Sequence, residues 1–406
     1  MPMTPSDHRP AVVAGFLGWT LDAFDFFLVV MTLTAIGATF GKSDKDIAFT
    51  LLLTLGFRPV GAFIFGLLAD RYGRRLPLML DLVFFSIVEV LSGLAPNYVT
   101  FCVLRALFGI GMGAEWGVGA SLVMEKVPVK QRGIFSGVLQ QGYAAGYLLA
   151  ALCYFLVFPR WGWRPLFFIG GLPALLALYV RSQVSESEAW QRSRAGSWKD
   201  LGRMLTANWK TFLYITVLMA LMNGVSHGTQ DLYPTLLRRD WHFETPQVVG
   251  LTVIAMIGAL SGGVVCGWLS DRIGRRRMIV TALAGALLLI PLWAFAPNVW
   301  LLGVGAFFMQ VMVQGAWGVI PAHITELSPD GVRGVLPGFG YQCGAAISGL
   351  MPYLGATIAA RTGYAWAMAV TAGTVFVLCA IVAWLGPERR GVVYGADAEA
   401  GSNRRS

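Results

Sequence analysis

The chain has 406 residues, of which 56% are apolar and only 13% charged, with 49 glycines and a formal net charge of +9. That balance excludes an ordinary soluble domain and fits a chain whose helices face lipid, where few charges are tolerated. The basic excess gathers in short groups beside apolar stretches, so it reads as membrane topology and leaves no call for a nucleic-acid partner.

A membrane span needs roughly 20 mainly apolar residues, and twelve such stretches are predicted at about 11–40, 48–69, 77–95, 99–124, 133–157, 163–181, 209–237, 247–270, 277–296, 299–326, 334–359 and 364–386. The first lacks a small-residue cleavage site and is too long for a signal sequence, so it counts as a span. The expected organisation is a six-helix half over 1–181, a central cytoplasmic loop over 182–208, a second six-helix half over 209–386 and a cytoplasmic tail over 387–406. With both termini inside, roughly twenty Lys/Arg fall on the cytoplasmic face and about seven on the other, the bias that sets orientation. The tail from Gly391 onward is rich in Gly, Ala and Ser and is expected to be disordered.

In the first span Asp22 and Asp25 stand three residues apart on one helix face. Two carboxylates this close disfavour joint ionisation, which suits one of them to carry a proton. Arg58 lies midway along the second span, in Phe-Arg-Pro-Val-Gly. Guanidinium keeps its proton and binds a carboxylate through two parallel hydrogen bonds. Arg58 is thus the anchor for an anion if it faces a cavity, and a standing partner of Asp22, Asp25 or Glu115 if it does not. The fourth span carries Arg105, structural or proton-linked, and Glu115, a second coupling candidate. Phe24, Phe27 and Tyr143 are candidates to size the cavity.

The second span ends in GLLADRYGRR (66–75), which returns as GWLSDRIGRR (267–276), seven of ten residues identical at an offset of 267 − 66 = 201. The same offset carries Ala95-Pro96-Asn97 onto Ala296-Pro297-Asn298, Trp116-Gly117 onto Trp317-Gly318, Gly137 onto Gly338 and Gln141 onto Gln342. It also carries Glu125, Pro128, Arg132 and Gly133 onto Glu326, Pro329, Arg333 and Gly334. A register held through so many helices and loops marks a duplicated bundle around a central pathway. Asp70 with Arg71, Arg74 and Arg75, and Asp271 with Arg272 and Arg275, place opposite charges at helix ends, where ion pairs can form as a mouth shuts and break as it opens. Glu125, Arg132, Glu326 and Arg333 add duplicated opposite charges on the same face.

The seventh span is the most polar: Asn223, Ser226, His227, Thr229, Gln230, Asp231, Tyr233 and Thr235 lie within thirteen positions. On a helical wheel Asn223, His227, Gln230 and Asp231 cover a stripe roughly 100° wide, too polar to face lipid. The offset sets Asn223 against Asp22 and Ser226 against Asp25. Pro234 with Gly224 and Gly228 gives this helix room to bend. The five cysteines lie within spans without a CxxC, and neither His323 nor the serines have a nucleophile–base spacing. No metal, cofactor or enzymatic centre is expected, and the short loops leave no room for a signalling domain.

The duplicated loop resembles the signature of the Major Facilitator Superfamily. Arg105-Ala-Leu-Phe-Gly109-Ile-Gly111-Met-Gly113 resembles the fourth-helix signature of its proton-coupled porters, and ExxPxxxRG that of its sugar-porter branch. The resemblance implies an all-α membrane fold of twelve transmembrane helices in two pseudo-symmetric halves, with a central site and alternating access. The stretch Asn223-x-x-Ser226-His227-x-Thr229-Gln230-Asp231-x-x-x-Thr235, with Asp22-Ala-Phe-Asp25-Phe-Phe and Tyr341-Gln342, resembles the lactate/pyruvate permeases of the sialate-type proton symporters. That implies proton-coupled uptake of a short monocarboxylate such as lactate or pyruvate, by a monomer in the cell (inner) membrane. Arg58, Asn223, His227, Gln230, Gln342, Gln141 and Tyr341 would then meet the substrate, and Asp22, Asp25, Glu115 and Asp231 would handle protons. Sialic-acid and aromatic-acid symporters carry similar Asp-x-Phe-Asp sequences, so a larger acid is the alternative.

Overall fold

The computed structural model describes residues 8–193 and 197–395. Their chain is helical almost throughout. The first half runs α1 (Arg9–Phe40), α2 (Asp44–Tyr72), α3 (Arg75–Gly93), α4 (Tyr98–Lys126), α5 (Arg132–Gln140), α6 (Gly142–Trp161), α7 (Arg164–Ile169) and α8 (Pro173–Gln183). Two short connecting helices follow, α9 (Glu188–Ser193) and α10 (Trp198–Ala207). The second half comprises α11 (Trp209–Gln230), α12 (Tyr233–Arg239), α13 (Thr245–Ile273), α14 (Arg275–Ala294), α15 (Val299–Leu327), α16 (Leu336–Ser348), α17 (Met351–Thr362) and α18 (Tyr364–Leu385).

Eleven described segments are long and apolar enough to cross a membrane, with α5–α6, α7–α8 and α11–α12 each acting as one interrupted span. The expected span over 334–359 differs: it is two shorter helices, α16 and α17, parted at Gly349 and Leu350, with a proline in the first turn of the second. A proline lacks the N–H that would continue the α16 ladder, so it starts a new helix instead. The seventh span breaks at Asp231 and Leu232, ahead of Pro234, for the same reason.

Local rules explain the repeated boundaries. Each copy of Ala-Pro-Asn ends in a helix cap: the Asn97 side chain accepts from Thr100 N–H (2.9 Å) and Asn298 from Leu301 N–H (3.0 Å). Gly73 and Gly274 turn the two signature loops at φ +105°, a backbone region that side chains disfavour. Just beyond each half's last helix a glutamate reaches back to cap the start of that half's third span, Glu186 accepting from Arg74 N–H (2.9 Å) and Glu388 from Arg276 N–H (2.9 Å). Large apolar side chains such as Phe155, Leu288 and Trp300 point outward, as a lipid-facing surface requires. The interior of each bundle is filled around α4 and α15, whose faces are the most enclosed.

The segment 182–208 packs rather than floats, where described. Leu201 is buried with Val332, Val335 and Leu336, and the Trp190 indole donates to the carbonyl of Asp70 (2.8 Å). Part of the expected disordered tail is also built: residues 391–395 lie across the arginine-rich end of the bundle, and 396–406 fall outside the described residues.

Candidate transport site

A cavity of about 530 Å³ lies between the two halves. From the first half it takes Trp19, Phe27, Arg58, Met112, Gln140 and Tyr143; from the second it takes the α11 stripe, Gln314, Trp317 and Tyr341. Asn223, Ser226, His227, Gln230 and Asp231 all line it, as their shared face requires. His227 Nδ1 and Asp231 Oδ2 are 2.9 Å apart, both about a third exposed. Gln230 donates to Gln310 Oε1 (2.9 Å), and Asn223 donates to the Met219 carbonyl (2.8 Å).

Arg58 is buried at 7% exposure, yet it lines this cavity. Among the described residues it is the one arginine or lysine that does so, and its Nε and Nη2 have no hydrogen-bond partner there. Its guanidinium sits 5.9 Å from the ring centre of Tyr341, a cation–π distance. Tyr341 is in turn held between the duplicated tryptophans, 4.6 Å from Trp116 and 5.9 Å from Trp317. Each indole is fixed by its own hydrogen bond, Trp116 to Gln140 Oε1 (3.3 Å) and Trp317 to Ser226 Oγ (2.7 Å). The result is a cation set in a rigid aromatic wall, opposite a face of amides and the His227–Asp231 pair.

Several expected site residues lie elsewhere. Gln141 and Gln342 are buried outside the cavity lining; Gln141 turns toward Gly263, and its neighbour Gln140 takes the cavity position. Phe24 is packed inside the first half, whereas Phe27 and Tyr143 reach the cavity. Asp22, Asp25 and Glu115 are wholly buried behind the wall rather than in it. Arg105 is spoken for: it hydrogen-bonds Glu89 and Ser92 Oγ and lies 4.5 Å from the Phe108 ring centre. Two buried acids escaped the sequence reading, Asp81 and Glu89 on α3. The signal was present, because a carboxylate inside an apolar span is costly wherever it occurs.

The arginine-rich end is shut by a crosswise web. Gly334 and Val335 N–H donate to the Asp70 carboxylate (2.6 and 3.0 Å), and Gly133 and Ile134 N–H donate to Asp271 (2.8 and 3.1 Å). Each signature aspartate therefore caps the first turn of a helix in the opposite half, with favourable dipole and charge. Arg74 binds Asp70 (2.6 Å) and Glu125 (2.9 Å); Arg275 binds Asp271 (2.8 Å) and Glu326 (3.0 Å). Glu125 then meets Arg333 (3.5 Å) and Glu326 meets Arg132 (3.6 Å), again across the halves. Arg71, Arg75 and Arg272 stand outside these ion pairs: Arg71 and Arg272 lie against Tyr72 and Trp268, and Arg75 donates to the Arg181 carbonyl. Over the web lies Tyr394, its ring between the guanidiniums of Arg132 (3.6 Å) and Arg333 (3.8 Å). No ion pair joins the halves at the opposite end among the described residues. Directly below the cavity, a Cβ on Gly117 would fall 2.6 Å from Gly338 Cα, so α4 and α16 touch backbone to backbone.

A duplicated bundle, a cavity between its halves and a web of charge that crosses them at one end make up the site. The family model of the Major Facilitator Superfamily matches residues 15–265 and 232–403. The chain belongs to that superfamily. It is a multi-pass membrane transporter and not an enzyme. The chain is 30% identical to the sialic acid transporter NanX of Escherichia coli, over 88% of each chain. It is 28% identical to a carboxylic acid transporter protein homolog of Saccharomyces cerevisiae, over 92% of this chain and 67% of that one. The cis,cis-muconate transport protein of Acinetobacter baylyi is 27% identical over 92% of both. In fold the chain is similar to the proton:xylose symporter XylE, with a TM-score of 0.77, 20% identity and 97% and 98% of the two chains covered.

Proposed function

We propose that this protein is a proton-coupled symporter of an organic acid anion, working by alternating access, with a short monocarboxylate such as lactate or pyruvate as its substrate. The observation that carries the reading is Arg58, a buried cation turned to a cavity between the halves. By the Lys/Arg bias the arginine-rich end is cytoplasmic, with both termini on that side. The state described is then closed to the cytoplasm and faces outward. Names of relatives that carry carboxylic acid, sialic acid and muconate support an acid substrate.

Coupling follows from competition for one cation. Asp22 lies behind Arg58, which is the cation acting on it. An incoming carboxylate neutralises the Arg58 charge, the one cation whose field reaches buried Asp22, and a carboxylate that loses that field has to hold a proton. Anion and proton therefore load together. An interior negative by 100 mV opposes entry of a lone anion by about 2.3 kcal/mol. One accompanying proton cancels that term, and each pH unit of gradient then adds about 1.4 kcal/mol. The amides of Asn223 and Gln230 complete the carboxylate site from the other half.

A second reading, a larger acid, draws on the cavity itself. Its 530 Å³ and its walls of Trp19, Phe27, Tyr143, Trp317 and Tyr341 leave space and stacking faces that a three-carbon acid does not use. Uptake of labelled L-lactate into proteoliposomes, driven by an inside-alkaline gradient, tests both. Accumulation abolished by a protonophore is expected. Gradient-driven uptake of benzoate or sialate without lactate would move the assignment to the second reading, and uptake indifferent to the gradient would end proton coupling.

A further inference from the structure

The first half buries five carboxylates inside its own bundle: Asp22 and Asp25 on α1, Asp81 and Glu89 on α3, and Glu115 on α4. Two cations face them, Arg58 from α2 and Arg105 from α4. Arg105 is hydrogen-bonded to Glu89. Asp25 belongs to that group, since the Cβ position of Gly170 is 2.6 Å from both Asp25 Oδ1 and Glu89 Cγ. Arg58 lines the cavity and is the cation whose charge reaches Asp22, although the Asp22 oxygens make no hydrogen bond or ion pair among the described residues. Asp81 and Glu115 are left over. The charged groups bearing on Asp81 are Glu115 and Asp22, and the one bearing on Glu115 is Asp22; no cation is among them.

The backbone makes room for these two side chains. Glu115 Oε1 occupies the space beside Gly18 of α1, 2.0 Å from where a Cβ would stand, one turn before Asp22. Asp81 Oδ1 reaches α4 at Gly111, 3.5 Å from the Cβ position and one turn before Glu115. The carboxylates thus form a row from the cavity wall inward, Asp22, Glu115, Asp81. Both residues are at most 1% exposed, and all four of their carboxyl oxygens lack a hydrogen-bond partner among the described residues.

Two bare anions side by side in a membrane interior, without a cation or a hydrogen bond, cannot both stay charged. We infer that Asp81 and Glu115 form a second proton-binding site, apart from the Asp22–Arg58 site and filled through Asp22, that carries one further proton per substrate anion. The step moves only a proton, from the cavity to Asp22, on to Glu115 and Asp81, and back when the protein faces the other way. It rests on the symport reading above and sharpens it: with one proton the cycle is electroneutral, with two it carries net positive charge inward.

The experiment measures accumulation and charge movement in proteoliposomes, using whichever of labelled L-lactate or benzoate the wild-type protein exchanges. With the membrane potential clamped at zero by potassium and valinomycin, steady-state accumulation is expected to rise about a hundredfold per unit of pH gradient, against about tenfold for one proton, and initial uptake should carry an inward current. Asp81→Asn and Glu115→Gln should each return the slope to about tenfold and abolish the current. Substrate exchange, which needs no net proton flow, should persist in both and report that they are folded. A wild-type slope of about tenfold without current overturns the inference and leaves the symport reading standing, whatever the variants do. A wild-type slope of about a hundredfold that both variants keep also overturns it, since the second proton then rides elsewhere. A wild type that exchanges neither acid removes the symport reading and the inference with it.

Discussion

The two halves of this molecule share a web of charge at one end and differ in what they bury deeper in. At the arginine-rich end they are near copies: Asp70 and Asp271, Arg74 and Arg275, and Glu125 and Glu326 make the same contacts, each aspartate capping the other half. Deeper in the bundle the likeness stops. At the offset of 201, Arg58, Asp81, Glu89, Arg105 and Glu115 correspond to Ala259, Ala282, Ile290, Ala306 and Ala316. All five counterparts are buried and apolar. Asp22 and Asp25 correspond to Asn223 and Ser226, which keep polarity without charge. Duplication preserved the charges that cross between the halves. The buried cations and acids at this depth are kept in one half, and the other half offers amides and the partly exposed His227–Asp231 pair at the surface of the cavity.

The comparison can be broken at the gate. Asp70→Asn and Asp271→Asn each remove one of an arginine's two buried carboxylate partners and weaken a cap across the halves, a loss somewhat below the roughly 3–5 kcal/mol of a buried charge left wholly unpaired. Both should loosen the arginine-rich end, Asp70 more, because its side chain is 0% exposed against 9% for Asp271. Maleimide labelling of Ser121→Cys, whose hydroxyl meets the Arg333 carbonyl across the interface, would read this as a rise of about a hundredfold in rate. Equal labelling in wild type and both variants would mean that the web does not close the mouth.

The division of charge is tested by copying it. Ala282→Asp puts the Asp81 carboxylate into the second half, where the Glu115 and Arg58 counterparts are both alanine. A charge of this kind at mid-membrane costs about 3 kcal/mol, so thermal stability in detergent should fall clearly. If the variant is as stable as wild type, the second half is not the uncharged scaffold described here.

Smaller effects sharpen the picture. Tyr394→Ala removes a ring held between one arginine from each half. Two partly desolvated cation–π contacts are worth about 1–2 kcal/mol, so the same cysteine should label about tenfold faster. His227→Gln breaks a half-exposed pair with Asp231. Such pairs contribute about 1 kcal/mol or less, and the expected change in KM is up to about fivefold. A complete loss of transport in His227→Gln would place essential chemistry in the second half and undo the division.

Much of this was written in the chain. The repeat located both signature loops and both Ala-Pro-Asn turns, and helical periodicity grouped the four residues of the α11 stripe, Asn223, His227, Gln230 and Asp231, which all line the cavity. What stayed hidden depended on contacts between distant segments. Asp70 is 264 positions from the Gly334 N–H it caps, and no local pattern specifies that partner. The choice of Gln140 over Gln141 is a turn of about 100° at the break between α5 and α6, beyond the precision of a wheel. Asp81 and Glu89 passed unmarked inside a span read for its length and hydropathy. The strap at 391–395 looked like a polar, Gly-rich tail, because the arginine pair that orders Tyr394 comes from α5 and the loop before α16.

The central claim is that the anion is held by Arg58, in the half that carries the charge. Equilibrium binding of a labelled acid, L-lactate or benzoate, to purified protein tests it without requiring transport. Wild-type protein should bind one of the acids saturably, Arg58→Lys more weakly, and Arg58→Ala not at all. Saturable binding of equal strength to Arg58→Ala would contradict the account and move the anion site to the amides of the second half.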